Sequence, residues 1–122
     1  MDFIQNVFDE LQDFLPDEWK RVALRFEYVP DVTTSMKYYV DSGKGYVECF
    51  DLVKDIRALY PVLSSVERIL VKVNDALAPK DKWRVLTLIV SEDGSFKTYY
   101  DYDYTASDPY AYESEWEAKY LI

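Results

Sequence analysis

The stretch WRVLTLIVSEDGSFKTYYDYDY, Trp83 to Tyr104, restricts the folds open to this chain more than any other. Two alternating runs flank Glu92-Asp93-Gly94-Ser95. Asp-Gly in that setting is a hairpin signal, because both central residues can take positive φ. Strands are therefore predicted over Trp83 to Val90 and Phe96 to Tyr104. In the second strand Phe96, Thr98, Tyr100, Tyr102 and Tyr104 share one side, and Lys97, Tyr99, Asp101 and Asp103 the other. The expectation is tyrosines turned mostly inward and aspartates outward.

The remaining segments add helices and further strands. Phe3, Ile4, Val7, Phe8, Leu11, Phe14 and Leu15 recur at helical spacing, with Asp2 near the positive end of the dipole and Pro16 as terminator. WKRVALRFEYV, Trp19 to Val29, alternates as a half-buried strand, with Val22, Leu24, Phe26 and Tyr28 on one face. A turn at Pro30-Asp31, a strand over Met36 to Val40, the Asp41 to Gly45 turn and a strand over Tyr46 to Phe50 follow. The next helix is expected to start at Pro61, or at a Ser64/Glu67 capping box, and to bury Val62, Val66, Ile69, Leu70, Val73 and Leu77. A short separate helix within Asp51 to Tyr60 is open at this level. Asp108 is expected to cap a last helix with Pro109 at its first position; Tyr112, Trp116 and Tyr120 would line one side, with Glu113 and Glu117 facing solvent. The predicted class is α+β: one domain over residues 1–122, an antiparallel sheet of about five strands, and N-terminal, middle and C-terminal helices packed mainly on one face. Expected core residues include Phe8, Leu24, Phe26, Leu86, Leu88, Tyr102 and Trp116.

Several chemistries are ill supplied. The chain has no histidine, which removes the commonest general base near neutral pH and a frequent metal ligand. One cysteine, Cys49, builds neither an internal disulfide nor a structural zinc site, and it is expected as a buried hydrophobe in the strand YVECF. Three glycines, at 43, 45 and 94, assemble no phosphate loop. Asp101 and Asp103 resemble the start of a calcium loop, yet Thr105, Ala106 and Tyr112 stand where an acid, the turn glycine and the bidentate Glu belong. The acidic, periodic N-terminus does not resemble a secretory signal, and no apolar run approaches the ~20 residues a bilayer requires. A single cysteine suits a reducing compartment, and a cytoplasmic location is expected. Neither catalysis nor a cofactor or metal is expected.

Charge points to a partner instead. Residues 1–18 hold six acids and no base; residues 91–122 hold eight acids and two bases; the middle holds nine acids and twelve bases. The net charge of −9 repels nucleic acid and attracts a basic protein. Seven of the 12 tyrosines lie between Lys97 and Tyr120, among carboxylates. Tyrosine gives large contact area at low entropic cost, so this stretch is expected to form a recognition surface.

The order of motifs carries a resemblance. LPDEW (15–19), KYYV (37–40), KWRVLTLIV (82–90), GSFKTYYDYDY (94–104) and EWEAKYL (115–121) together resemble the YezG-like immunity proteins, small acidic antitoxins that neutralise nuclease toxins delivered between bacteria. The resemblance implies a non-catalytic, cofactor-free chain that forms a 1:1 complex with a toxic nuclease domain and neither binds nucleic acid directly nor enters a membrane. On charge density, Asp101, Asp103, Asp108, Tyr110, Glu113 and Glu117 are the expected toxin contacts, although Asp9, Glu10, Asp13, Asp17 and Glu18 form a second acidic group. An acidic adaptor for another basic protein and a metal-dependent carboxylate hydrolase are the alternatives.

Overall fold

Arg21–Val29 (β1) lies at the centre of a five-stranded antiparallel sheet, flanked by Thr33–Asp41 (β2) and Val85–Ser91 (β4). Tyr46–Glu48 (β3) borders β2 and Phe96–Asp101 (β5) borders β4, giving the order β3-β2-β1-β4-β5. The computed structural model describes residues 2–122; the expected role of Asp2 concerns a side chain outside the described residues. Helices Asp2–Leu11 (α1), Cys49–Leu52 (α2), Ile56–Asp75 (α3) and Pro109–Tyr120 (α4) complete an α+β fold. Among the described residues no helix is long and apolar enough to cross a membrane.

The main core forms where the stripes of α1 and α3 meet one face of the sheet. Ile4, Val7 and Leu11 from α1 and Leu59, Leu63, Val66 and Leu70 from α3 pack on Val22, Leu24, Phe26, Tyr38, Val40, Leu86 and Leu88. The Ser65 hydroxyl of α3 donates to Glu10 of α1 at 2.5 Å, and the rings of Phe8 and Trp19 pack at a tilt, 5.6 Å apart. The expected core residues Leu24, Phe26, Leu86, Leu88 and Trp116 are buried, and Phe8 is half-buried against them.

Three local expectations are corrected. First, α3 starts at Ile56, capped by Asp55, whose Oδ1 accepts from the Arg57 amide at 3.1 Å; Pro61 and Ser64 lie inside the helix. Proline is tolerated there because Arg57, whose carbonyl it leaves unpaired, and Pro61 itself are on the exposed side. Second, β3 stops at Glu48, so Cys49 opens α2, where it is fully buried and its thiol pKa is raised by that burial. Third, the β4–β5 hairpin needs positive φ at Gly94 alone. The Gly94 amide donates to Ser91 O at 2.9 Å, and the Ser91 amide donates to Ser95 O at 2.9 Å. This is a three-residue loop with a glycine bulge rather than the two-residue turn.

The sheet is covered on its second face as well. α1 to α3 share one face, while α4 departs from the expected arrangement and packs on the other. There Trp116 meets Ala23, Tyr39 and Ile89, with Tyr112 and Tyr120 beside it. β1 is therefore buried on both faces, not half-buried: Ala23, Arg25 and Glu27 lie beneath α4.

Candidate groove between β5 and the C-terminal helix

After β5 the chain leaves the sheet at Asp101, whose Oδ1 accepts from the Asp103 amide at 2.9 Å. It turns at Ala106, whose φ of 63° costs a non-glycine residue about 1 kcal/mol. α4 then starts as expected: Asp108 Oδ1 accepts from the Ala111 amide at 3.2 Å and Pro109 occupies the first position. The helix runs back across the sheet and is fixed by polar contacts under its aromatic stripe. The Trp116 indole donates to Thr87 Oγ1 at 2.8 Å in a buried bond. Arg25, 5% exposed, donates to Glu113 at 3.2 Å, lies 3.6 Å from Glu27, and places its guanidinium 5.1 Å from the Trp116 ring centre.

Glu113 and Glu117 are thus corrected from solvent-facing to half-buried residues engaged with the sheet; Tyr39 donates to Glu117 at 3.5 Å. Consecutive helix residues differ by 100°, so these two sit beside Tyr112 and Trp116 rather than opposite them. Ser114, Glu115 and Ala118 take the outward positions. Tyr102 is corrected from core to surface at 53% exposure, and Tyr99 and Tyr100 are exposed too. β5 is an edge strand that ends before Tyr102, so no neighbouring strand encloses that ring. Only Tyr104 of this run is buried, 4.5 Å from the Tyr112 ring.

These corrections assemble a site. Between β5 and α4 lies a groove of about 370 Å³ walled by Tyr99, Asp101, Tyr102, Asp103 and Glu115, with Trp116 and Tyr120 also lining it, while the Tyr100 ring packs on Trp83 at the other face, 5.9 Å away. The rings of Tyr99 and Tyr120 pack at a tilt, 5.2 Å apart, along it. Past Asp101 and Asp103 it continues into a second hollow of about 290 Å³ that includes Asp108. At its other end a hollow of about 440 Å³ meets Arg21, Lys97 and Lys119. The groove therefore runs from a carboxylate-rich end to a cationic one. Burial, and then the nearby Asp101 carboxylate, push the Tyr112 phenol up, so it remains a neutral donor against that acid.

Of the six expected contact residues, Asp101, Asp103 and Asp108 line this continuous depression. Tyr110, at 85% exposure, stands free on the first turn of α4. Glu113 and Glu117 are drawn instead toward Arg25 and Tyr39. Glu115 and Lys119 were missed by sequence reasoning, as was the buried Arg25–Glu27 pair. The available signal was the aromatic stripe of α4, which required an apolar counterpart; Ala23, Tyr39 and Ile89 supply it. Among the described residues no three acidic or cysteine side chains converge in a way that would hold a metal ion. No known family model and no curated protein matches this sequence.

Proposed function

We propose that this chain is an immunity protein that binds a cognate nuclease toxin 1:1 in the cytoplasm and covers its basic nucleic-acid site. One observation supports the reading above the others: exposed Tyr99 and Tyr102 stand beside Asp101, Asp103 and Glu115 around one groove. Aromatic rings give contact area, and carboxylates set where substrate phosphates would lie compete with them for the same Lys and Arg side chains. Glu113 and Glu117 contribute indirectly, by holding α4 in place as one wall.

The test is reconstitution with the C-terminal domain of the protein encoded immediately upstream. The expected results are a 1:1 complex on co-purification and nuclease activity that falls to background at one equivalent of this chain. Full nuclease activity with excess chain present would refute the reading. A complex that forms while the partner shows no nuclease activity would favour an adaptor for a basic protein.

A further inference from the structure

β5 ends the sheet with an edge that no other strand among the described residues pairs. The opposite border, β3, is three residues long, whereas β5 runs six. The backbone phase follows from the hairpin. Ser91 bonds Ser95, and the register continues through Ile89↔Lys97, Thr87↔Tyr99 and Val85↔Asp101, so residues 97, 99 and 101 spend their amides and carbonyls on β4. Phe96, Thr98 and Tyr100 direct theirs outward. No proline interrupts this edge, and Phe96, Tyr99, Tyr100 and Tyr102 are exposed along it. Edges of this length are normally blunted, because they template pairing with another chain.

We propose that two copies of this chain pair along β5, antiparallel about a twofold axis at Tyr99, into one ten-stranded sheet. The strand is its own complement. An antiparallel edge pairing must join outward-directed residues, and the axis at Tyr99 sets Thr98 opposite Tyr100 of the second copy, twice by symmetry. Lys97 then falls opposite Asp101 of the second copy, twice by symmetry. Those are non-hydrogen-bonded positions, where Cα atoms approach to about 4.5 Å and side chains meet most closely. Opposite charges directly across a pair stabilise it by roughly 0.2–1 kcal/mol, and like charges destabilise it. Moving the axis to Thr98 would set Lys97 against Tyr99 and Asp101 against Ser95, with neither ion pair formed. The charge of −9 per chain opposes association, so physiological salt, with its Debye length of ~8 Å, is the appropriate condition.

Sedimentation velocity across a micromolar concentration series tests this on the full chain. The mass is expected to rise toward twice that of the monomer. Lys97→Asp alone and Asp101→Lys alone set like charges across the axis and are expected to weaken association about tenfold. Combining K97D with D101K recreates both ion pairs in reverse and is expected to restore the dimer. Thr98→Pro removes an amide that β4 does not use, so far-UV circular dichroism should be unchanged while the dimer is lost. Because T98P leaves every carboxylate in place, it also separates self-pairing from toxin binding. A single-chain mass at all concentrations overturns the proposal, as does a dimer that survives Thr98→Pro or a double exchange that fails to restore association.

Discussion

Arg25 binds the second face of the sheet together. Its guanidinium is enclosed by Glu27, Glu113 and the Trp116 ring, and Nη1 has no hydrogen-bond partner among the described residues. Removing one member of a buried ion pair strands the other, so Arg25→Met is expected to lower unfolding free energy by about 3 kcal/mol in urea titrations at neutral pH. Glu27 makes the same environment pH-sensitive. Burial lifts its carboxyl above the ordinary 4.5, against an opposing pull from Arg25. A carboxyl whose folded pKa is raised binds its proton more tightly when folded. Its contribution is complete below 4.5 and is lost as pH rises through the folded value. Wild type should therefore lose stability relative to Glu27→Gln as pH climbs from 4.5 toward neutrality, and parallel curves would remove this assignment. Neither residue was legible as buried, because charges at alternate strand positions read as a solvated face. What covers them is contributed some ninety residues later in the chain.

The elements divide according to how local their signals are. The start of α4 was readable because Asp108-Pro109 carries both the side-chain acceptor and the fixed φ that a first turn uses. Asp108→Ala is expected to cost about 1 kcal/mol, and Trp116→Ala, which also strips the Thr87 bond, about 3–5 kcal/mol. Thermal or chemical denaturation checks both, and a Trp116→Ala cost near that of the cap would mean α4 is held mainly by its termini. The β4–β5 pairing was equally local. Whether a strand is central or peripheral is not: alternation assigns residues to faces but says nothing of what covers each face. β1, read as half-buried, is the central strand, and β5, whose tyrosines were expected to turn mostly inward, is the edge. The start of α3 went unread because proline in a helix interior is penalised generally, and only its solvent-facing position in this fold reduces the cost.

Across the whole molecule, the two acidic ends of the sequence lie on opposite faces of the sheet. α1 and the loop after it expose Asp9, Asp13, Asp17 and Glu18 on one side, and the β5–α4 groove exposes Asp103, Asp108 and Glu115 on the other. Helices on either side of a sheet stand about 20 Å apart, given helix diameters near 10 Å, well beyond the ~8 Å Debye length. The two surfaces therefore act as separate fields, and mutation of one leaves the other nearly untouched. The acidic charge and the run of tyrosines were legible in the sequence, whereas the groove that gathers them was not, since it required the reversal of α4 across the sheet. The decisive measurement is the association rate with the proposed basic toxin domain at low and high salt. It compares wild type, the Asp101→Lys/Asp103→Lys/Glu115→Lys variant, and a control with Asp9, Asp13 and Asp17 changed to Lys. A groove that steers its partner requires a loss of about tenfold or more at low salt in the first variant, shrinking as salt rises, with the control close to wild type. An unchanged rate in the groove variant, or an equal loss in the control, contradicts it.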